Sequence, residues 1–547
     1  MTATATATAL HPVRCVIDHL HRDLGVAQAA RAGRFTHAMV SLDLGRRPDW
    51  VGGGLAQDEE WRIEWVKLYQ GLDLAHAYRE TGEADYLSTW EDLVDSFCHQ
   101  VPIGMDPSEV SARRVQNWLY AWQRFSAAPH YRGLRPGLGS RLIQRIDAEA
   151  QHLADHLSAE RNHRTLELYT LLLVGLARLD HRAATEALRL LADNASVDIW
   201  PDGVHRECSS DYHCLVLRSL LGAIANANEA GLAPPAPLLE AAKRACDFAL
   251  HLQRPDGVTP ALSDGDEGHF AELLLLGAEL FGREDLRWAA TGGQNGTPPA
   301  QRHATFPTGG YVLQRSGWGE GARAYRAECW AVFDVGPLGD GGHGHYDQLA
   351  VELYANGQPL VVDSGRYTYA EEPGGWRRWF KGTAAHNTVT VDELDQTPYR
   401  RGKPKGPRSQ ARLVTRCTDD TLDVVIGEVT SPSYDAVHTR MVALIDNDYW
   451  QIHDRLRAPT AHLYRARWHL AAAAWGATEL RQLEDRTVVR TPAVDIEIPA
   501  GCGTVSLEQG WVSPRYGVKH PAPVVVVSAQ GLGADMVTII RPRSHPA

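Results

Sequence analysis

The chain has 547 residues, which is too long for a single hydrophobic core and predicts roughly two to four domains. Its 44% hydrophobic and 22% charged residues exclude a disordered chain, and the formal net charge of −12 argues against a nucleic-acid binder, which normally carries a basic face. The sixteen Trp and eighteen Tyr suit sugar stacking and core packing equally well.

The N-terminal segment, MTATATATALHPVRC, has neither the basic stretch nor the apolar stretch of a secretory signal. No later segment reaches the ~18 consecutive apolar residues of a membrane helix. The eight cysteines are scattered without a CxxC pair, which favours reduced thiols. We therefore expect a cytoplasmic protein that binds neither membrane nor nucleic acid.

Amphipathic segments follow one another through residues 1–295. In EEWRIEWVKLYQGLDLAHAYRETGEADYLSTWEDLVDSFCHQV, two helices are predicted, separated at ETGE, where Gly82 can take the left-handed conformation that ends a helix. The segment TLELYTLLLVGLARL is apolar almost all round and is predicted to lie in a buried inner layer. A run of helical hairpins of similar length predicts an α-solenoid or an α/α toroid.

A linker rich in Gly, Pro and Thr, near 290–305, separates these helices from a region of short runs rich in Val, Tyr and Thr. YANGQPLVV carries the Asn-Gly signal of a β-hairpin, and ALIDNDYWQI predicts a second hairpin. Residues 296–547 are therefore predicted to form stacked antiparallel sheets.

Polar residues interrupt the apolar pattern of the helical region at a few places. RNHRTLELY puts Asn162 and His163 at the start of the most apolar helix, where helix capping would also explain them. HRECSSDYHCLVL holds Glu207, Tyr212 and His213 just before another helix. Each observation is weak alone, but helix ends in a toroid point towards one cleft.

Two further pairs of polar residues have both a functional and a structural explanation. Arg114 and Asn117 are spaced i, i+3 and so share one face of a predicted helix. Asp264 and Asp266, in TPALSDGDEGHF, fit the entry to a helix, whose positive dipole end favours acidic residues. The same two aspartates are the candidates for a glycoside hydrolase, although they lie close together for carboxylates that must flank one bond.

The segment HGHYD, residues 343–347, is the most distinctive. If it is a strand, His343 and His345 point to the same face. Asp363 and His386 follow in the same β region, so that His345, Asp363 and His386 are candidates for a mixed nitrogen and oxygen zinc site. Histidines in sheets are usually structural, so the spacing leaves metal binding, catalysis and a structural role open.

Seven segments, taken together, resemble the heparinase II/III-like polysaccharide lyases, which include related alginate lyases. In chain order they are RNHRTLE, ECSSDYH, PALSDGDEG, FPTGGYVLQR, GHGHYDQLAVELYANGQPLVVDSGRYTY, WRRWFKGTAAHNTVTVD and SPRYGVKHPAP. The block from 341 to 392 is the most specific. The resemblance agrees with the elements predicted above and implies an α+β multidomain fold. An N-terminal α/α toroid, an incomplete barrel of helical hairpins over residues 1–295, precedes an antiparallel β-sandwich over 296–547.

The resemblance implies an enzyme, a polysaccharide lyase that cleaves a 4-linked, glycosaminoglycan-like glycan by β-elimination at a uronic acid. A base removes the C5 proton, an acid protonates the leaving oxygen, and an unsaturated uronate end results. The substrate carboxylate must be neutralised by donors such as Asn, His or Arg. A tyrosine base needs cationic or donor neighbours that lower its pKa.

Carried over by position, the resemblance implies that Asn162 and His163 hold the substrate carboxylate and that Tyr212 is the catalytic tyrosine, as acid and also as a candidate base. His343 is implied beside the reacting sugar, as a base or a carboxylate neutraliser. His345, Asp363 and His386 are implied as ligands of a structural divalent metal, which we expect to be Zn²⁺. Asp347 is expected to accept an orienting hydrogen bond.

Six further residues are candidates for binding the substrate: Arg114, Asn117, Glu207, His213, Tyr369 and Trp379.

The chain departs from the family pattern in one respect. Many relatives carry a tyrosine just before the AAHNTV segment, where this chain has Trp379 and Phe380. Any second catalytic tyrosine must then be Tyr367 or Tyr369, or else His343 does that work.

The expected partner is an acidic polysaccharide or oligosaccharide, without an organic cofactor, and a homodimer is left open. The alternatives are an alginate-type lyase, a non-catalytic glycan-binding or exopolysaccharide-assembly protein, and a glycoside hydrolase.

Overall fold

The computed structural model describes residues 10–340, 342–371, 375–401 and 406–543. Contacts divide the chain into two compact units, which we call the helical unit (Met1–Asp198 with Arg218–Glu240) and the strand unit (Ile199–Leu217 with Ala241–Ala547). This division differs from the predicted border at 295/296, because residues 199–217 and 241–295, with two whole helices and parts of two others, belong to the strand unit.

The helical unit is a succession of α-helices. Their bounds are α1 (Leu24–Arg31), α2 (Glu59–Val66), α3 (Gln70–Thr81), α4 (Ala84–Gln100), α5 (Ser108–Ser126), α6 (Leu138–Asp155), α7 (Arg161–Ala177), α8 (His181–Asp198), α9 (Ser210–Glu229) and α10 (Ala236–Leu252), with α9 and α10 shared between the units. A 3₁₀ helix (Asp18–Leu20) and a hairpin of β1 (Arg34–His37) and β2 (Val40–Asp43) also belong to it.

Two sequence predictions for these helices are confirmed. Helix α3 ends at Gly82, whose φ of 74° is left-handed and whose N–H donates to the carbonyl of Tyr78. Helix α7 is buried along almost its whole length, as its apolar sequence requires.

A third prediction is wrong in detail, because the segment predicted as one helix before Gly82 is divided into α2 and α3. Leu68, with a φ of 59°, marks the break. The carbonyls of Val66 and Lys67 then lose their helical partners. Arg114 donates to the first at 3.3 Å and Asn117 to the second at 2.8 Å, so two side chains of α5 stabilise the break.

The strand unit consists mainly of antiparallel strands. They are β3 (Val258–Thr259), β4 (Gly268–His269), β5 (Ala304–Phe306), β6 (Tyr311–Arg315), β7 (Trp330–Asp334), β8 (Val351–Ala355), β9 (Gln358–Val361), β10 (Val389–Val391), β11 (Gln410–Thr418), β12 (Leu422–Thr430), β13 (Val437–Ile445), β14 (Tyr449–His469), β15 (Glu479–Gln482), β16 (Arg486–Arg490), β17 (Val494–Pro499), β18 (Thr504–Arg515) and β19 (Val518–Pro542). Its helices are α11 (Ala271–Phe281), α12 (Glu284–Ala290), α13 (Trp376–Lys381) and 3₁₀ turns at Tyr325–Ala327, Thr383–Ala385 and Ala472–Ala474.

Two sheets contain most of these strands. Strands β5 to β9 form a five-stranded sheet in chain order, and a ten-stranded sheet runs β11-β12-β13-β14-β19-β17-β16-β15, with β10 on β14 and β18 on β19. Both predicted hairpins are confirmed. Asn356 and Gly357 have positive φ and join β8 to β9, and Asp446 and Asn447 begin the turn from β13 to β14 with φ of 54° each.

The core of the strand unit lies between the two sheets. Phe333 and Leu353 of the five-stranded sheet belong to one buried cluster with Trp450 and Val525 of the ten-stranded sheet. The other face of the smaller sheet is covered as well, where Trp330 packs in a cluster with residues of α10. Both faces are therefore buried along β6 and β8, including the polar side chains of Gln314, Arg315 and Glu352.

The predicted fold class, helical hairpins followed by an antiparallel β-sandwich, is confirmed. All eight cysteines lie in the described residues and none forms a disulfide. Over the same described residues, no helix combines the length and the apolar character needed to cross a membrane.

Candidate active site

Three aromatic side chains meet in the strand unit around Tyr212, in the first turn of α9. The rings of Tyr212 and His343 stack with centroids 4.0 Å apart, and the hydroxyl of Tyr212 lies 3.2 Å from the hydroxyl of Tyr369. The rings of His343 and Tyr369 meet edge-on at 6.3 Å. All three side chains are partly exposed, so that a ligand can reach two hydroxyls and an imidazole at one place.

His343 and His345 lie in an irregular loop between β7 and β8, and not in a strand. At two glycines the loop lies so close to other backbone atoms that a Cβ would not fit. A Cβ on Gly344 would lie 1.9 Å from the carbonyl oxygen of Leu338, and a Cβ on Gly339 would lie 2.6 Å from that of Glu207. The two histidines nevertheless face a common partner, because this tight loop wraps around one buried carboxylate.

That carboxylate belongs to Asp264, whose side chain is 1% exposed. Its oxygens lie 3.1 Å from Nδ1 of His343, 2.9 Å from Nε2 of His345 and 2.8 Å from Nη2 of Arg377, while Nη1 of Arg377 makes a further short contact. Burial opposes ionisation of Asp264, but Arg377 and the two histidines outweigh it and hold the pKa of the carboxyl well below its ordinary value. Asp264 thus holds both histidines in fixed orientations.

A second carboxylate fixes the other side of the His343 ring. Glu207, which is buried, brings Oε2 to within 3.3 Å of Nε2 of His343. The ring of His343 is therefore placed by a carboxylate at each nitrogen and by stacking on Tyr212. Glu207 was predicted as a candidate substrate-binding residue, and in the structure its carboxylate contacts His343.

Arg366 is the polar partner of Tyr369. Its Nη1 donates to the hydroxyl oxygen of Tyr369 at 2.6 Å, and Asp266 accepts from Nε at 2.7 Å and from Nη2 at 2.9 Å. The guanidinium of Arg377 lies 5.1 Å from the centroid of the Tyr369 ring. Asp266 thus holds Arg366 by a bidentate pair, and Tyr369 has two cations beside it.

The two tyrosines differ in their electrostatic surroundings. Burial raises the pKa of Tyr212 well above its ordinary value, and the neighbouring Tyr369 raises it further. Burial also raises the pKa of Tyr369, but Arg366 acts against that rise. Burial thus holds both phenols protonated, and Arg366 and Arg377 are the groups that act towards a phenolate at Tyr369.

The loops that carry these residues have an uncommon backbone conformation. Cys208, Ser263 and Tyr367 have φ of 52°, 57° and 53°, and each directly follows or precedes a residue of the site. A left-handed conformation at a non-glycine residue costs on the order of 1–3 kcal/mol. The surrounding contacts of Glu207, Asp264 and Arg366 offset that cost.

The same unit contains a group of side chains that fits a metal ion. His345, Asp347 and His386 are buried and bring one ligand atom each to within 4.8 Å of the others. Nδ1 of His345 and Nε2 of His386 have no hydrogen-bond partner among the described residues. Asp363, predicted as the third ligand, instead lies 2.7 Å from the other nitrogen of His386. Asp347 therefore lies where the ligand was expected, and Asp363 lies where the acceptor that orients a histidine was expected.

Asn162 and His163 lie in the helical unit, in the first turn of α7. The residue before the helix is Glu160, which makes no capping bond through its side chain, so helix capping does not explain Asn162. Asn162 is buried, whereas His163 is exposed with Nδ1 3.9 Å from Glu109. Arg161 has a φ of 72° just before this pair. Their role in holding a substrate carboxylate stays a prediction.

Arg114 and Asn117 share one face of α5, as predicted, but both are buried. Besides its contact at the α2–α3 break, Arg114 pairs with Asp106 at 2.7 Å. Such contacts are those of structural residues. They give no support to the predicted role of Arg114 and Asn117 in substrate binding.

Two other predicted substrate residues lie outside the Tyr212 cluster. His213 is buried, with Nε2 3.0 Å from the carbonyl of Ala245 and its ring edge-on to Phe248. Trp379 is partly exposed and contacts the ring of Phe380 at 4.7 Å. The buried position of His213 gives its predicted role no support. Tyr369 does belong to the cluster.

The sequence patterns do not point to three residues that the site depends on. Arg366 and Arg377 were not singled out, although GRYTY and WRRWF lay in the most specific segments. Asp264 was weighed with Asp266 as the carboxylate pair of a glycoside hydrolase. The carboxylate of Asp264 is enclosed by His343, His345 and Arg377. The carboxylate of Asp266 is paired with Arg366. The two carboxylates are therefore not available to flank a glycosidic bond.

Two family models match this chain. The model for the heparinase II/III N-terminus matches residues 26–285, and the model for the heparinase II/III-like C-terminal region matches residues 298–541. These matches make the chain a polysaccharide lyase by class, as predicted. The chain belongs to the heparinase II/III-like family.

Individual relatives are distant. The chain is 24% identical to a heparin-sulfate lyase of Bacteroides stercoris, over 90% of this chain and 73% of that one. It is 23% identical to a heparin-sulfate lyase of Pedobacter heparinus, over 78% of this chain and 65% of that one. A crystal structure of heparinase III has a TM-score of 0.82 at 17% identity, over 99% of this chain and 88% of the other. That likeness bears on the fold alone.

Proposed function

We propose that the protein cleaves a 4-linked, uronic-acid-containing, glycosaminoglycan-like glycan by β-elimination. The observation that carries the proposal is the pair of hydroxyls of Tyr212 and Tyr369, 3.2 Å apart, with Arg366 donating to Tyr369. Elimination needs one group that removes a proton and another that delivers one, within hydrogen-bond reach of neighbouring atoms. This pair meets that need.

The proposed step uses Tyr369 as the base and Tyr212 as the acid. Ionised Tyr369 takes the proton from C5, and the electron pair of that bond forms the C4=C5 double bond. The bond from C4 to the glycosidic oxygen breaks, and that oxygen takes the proton of Tyr212. A proton then passes from Tyr369 to Tyr212 across their contact, which returns both residues to their starting states.

Arg366 supports this assignment through its hydrogen bond to Tyr369. A cation that donates to a phenol oxygen favours the phenolate, whereas burial favours the neutral phenol. The raised pKa of Tyr212 keeps its proton in place for delivery. The second tyrosine, left open between Tyr367 and Tyr369, is therefore proposed to be Tyr369.

His343 is proposed to neutralise the substrate carboxylate while charge develops at C5, with Nε2 donating to the substrate in place of its 3.3 Å contact with Glu207. Its ring is partly exposed beside Tyr212 and is fixed by Asp264 and Glu207. A donor that is fixed before the reaction stabilises developing charge without having to reorganise. That Asn162 and His163 hold a substrate carboxylate is proposed separately, from the resemblance alone.

An acidic glycosaminoglycan-like substrate agrees with the site and with the relatives. Arg366, Arg377 and His343 supply cationic or donor groups in a chain whose overall charge is negative. The two curated relatives described above are both heparin-sulfate lyases. Their names bear on the class of glycan, and the pattern of sulfation is left to the experiment.

A structural divalent metal is proposed at His345, His386 and Asp347. Two buried ring nitrogens without partners and one carboxylate are donors that Zn²⁺ accepts. Asp363 would orient His386 through its other nitrogen, as carboxylates commonly do for metal-bound histidines. The metal would supply no step of the reaction. It would fix the loop that carries His343.

The test of the lyase is direct. The purified protein is incubated separately with heparan sulfate, heparin, chondroitin sulfate, hyaluronan and alginate, and the ultraviolet absorbance of the conjugated C4=C5 double bond is followed. We expect a rise with at least one glycosaminoglycan. A rise with alginate alone would assign an alginate-type lyase, and no rise with any polymer would contradict the proposal.

A further inference from the structure

Lys519 has an ammonium group surrounded by aromatic rings. Its Nζ lies 4.1 Å from the ring centroid of Tyr367, 4.3 Å from that of Trp376 and 5.5 Å from that of Trp511. Among the described residues, no carboxylate or other hydrogen-bond acceptor contacts this ammonium. Lys67, by contrast, is paired with Glu64 at 2.6 Å. Lys519 therefore retains N–H donors that an anion can accept.

We call Tyr367, Trp376, Trp511 and Lys519 the aromatic–lysine cluster. All four side chains are partly exposed. Trp376 meets Trp511 edge-on at 5.5 Å and Tyr367 edge-on at 6.0 Å, so the rings present faces in different directions. An aromatic face of this kind can stack on the apolar face of a sugar ring. The cluster thus combines a stacking surface with an available cation.

The cluster directly adjoins the candidate active site along the chain. Tyr367 and Tyr369 are two residues apart, so their Cα atoms are separated by at most about 7 Å. The turn between β18 and β19 contacts both, because Gly517 donates to the carbonyl of Tyr367 at 2.8 Å and the ring of Tyr516 lies 5.8 Å from that of Tyr369. A glycan whose reacting residue lies at Tyr369 can therefore extend to the cluster.

We propose that the aromatic–lysine cluster is a binding subsite for an acidic sugar residue that neighbours the reacting one. Lys519 binds the sulfate or carboxylate of this residue, and Trp376 or Trp511 stacks on its ring. The inference deepens the proposed function and rests on it. The alternative is a purely structural cation–π contact, which would not contribute to binding of the glycan.

The test compares Lys519→Met with Lys519→Arg, and uses Lys243→Met as the matched control, because Lys243 also lies over an aromatic ring, that of Phe281 at 5.8 Å. The probes are a heparan sulfate octasaccharide, a disaccharide from the same polymer and the desulfated octasaccharide. Binding is measured by calorimetry, turnover by the absorbance of the product, and stability by thermal unfolding.

We expect Lys519→Met to weaken binding of the sulfated octasaccharide, and to raise its KM, on the order of tenfold, because a charge-assisted hydrogen bond is lost. We expect kcat and disaccharide binding to change less than about twofold, and Lys519→Arg to keep most of the affinity. Unchanged octasaccharide affinity in a folded Lys519→Met variant would overturn the subsite. A lower melting temperature with unchanged affinity and KM would identify the structural contact instead.

The same measurements separate this inference from the proposed lyase. If the octasaccharide binds in a Lys519-dependent way but no polymer gives the unsaturated product, the lyase proposal fails and the subsite stands. If product forms and Lys519→Met leaves KM unchanged, the subsite alone fails. Should Lys519→Met not fold, Trp511→Phe with the same octasaccharide and disaccharide takes its place, with a smaller loss expected for the octasaccharide.

Discussion

The hydroxyl of Tyr212 lies 3.2 Å from the hydroxyl of Tyr369, although 157 residues separate the two tyrosines in the chain. One side chain begins a helix and the other lies in a loop after β9. Their contact places two groups that can exchange protons in one partly exposed site. The proposed elimination depends on this contact, and the first two predictions address it.

Replacing Tyr212 by Phe should reduce turnover by about 10²–10⁴-fold, because the leaving oxygen loses its proton donor. Thermal unfolding should change little, since the phenyl ring still stacks on His343. The measurement is the rate of product absorbance on the polymer that the wild type cleaves best. Tyr399→Phe removes a hydroxyl that contacts Glu371 instead and serves as the control. Full activity in Tyr212→Phe would contradict the role of Tyr212 as the acid.

Replacing Arg366 by Gln should move the ascending limb of the pH–rate profile, which reports ionisation of Tyr369, to higher pH. Arg366 lowers the pKa of Tyr369, so its removal raises that pKa and leaves less phenolate at any given pH. Tyr369→Phe should abolish the limb and most of the turnover. The measurement is kcat/KM as a function of pH, with Arg378→Gln of the exposed part of α13 as the control. An unshifted profile in Arg366→Gln would argue that Tyr369 is not the base.

Metal content should depend on His345, His386 and Asp347. Elemental analysis of the purified protein should find about one equivalent of zinc, which His386→Ala should lose together with thermal stability. Asp347→Asn should lose the metal. Asp363→Asn should lower the metal affinity only by about 10–100-fold, as is typical for a residue that orients a ligand. If Asp363→Asn loses the metal and Asp347→Asn only weakens metal binding, Asp363 is the ligand. No metal in the wild type would remove the site.

Acid should destabilise the protein through His213. Burial lowers the pKa of this histidine from 6.5 to about 4, so it stays neutral in the folded protein while the unfolded chain takes up a proton. Its contribution to stability is therefore complete above pH 6.5 and is lost as the pH falls from 6.5 to about 4, amounting to about 3 kcal/mol.

The measurement is the free energy of unfolding in urea at a series of pH values. The neutral variant His213→Gln should have a shallower dependence on pH than the wild type. The exposed His520→Gln serves as the control and should keep the wild-type dependence. Equal slopes for wild type and His213→Gln would contradict a neutral buried imidazole.

Asn117→Ala should destabilise the protein without altering catalysis. The substitution leaves the carbonyl of Lys67 buried without its donor, which costs about 1–3 kcal/mol. KM and kcat should stay near wild-type values, because Asn117 is fully buried at the break between α2 and α3. Thermal unfolding and steady-state kinetics are compared in the same preparation. A raised KM at wild-type stability would instead return Asn117 to the substrate site.

Much of the fold was predictable because it is encoded by local patterns. Gly82 ends a helix, and Asn356–Gly357 closes a hairpin, since each needs a left-handed backbone that few other residues take up easily. The break at Leu68 was not predictable, because the amphipathic pattern continues across it. Donors from α5, about fifty residues further along the chain, make that break stable.

The candidate site was predictable in part. Tyr212, His343, Glu207 and Tyr369 were named from short segments, and the structure brings them together in the strand unit. Arg114, Asn117 and His213 were named on the same kind of observation and are buried against other parts of the protein, so their substrate roles stay predictions. Spacing along a helix cannot tell these cases apart, since a polar residue on an apolar face satisfies a buried carbonyl as readily as it binds a ligand.

The sequence by itself determined the order of helices and strands, the turns and the family, because these depend on periodicity and on short motifs. Only the tertiary structure decided that Tyr369 meets Tyr212, that Asp264 holds His343 and His345, and that Asp347 lies beside ring nitrogens of His345 and His386. The physical reason is that hydrogen bonds and ion pairs depend on separations of about 3 Å between residues far apart in the chain. No local pattern in the sequence records those separations.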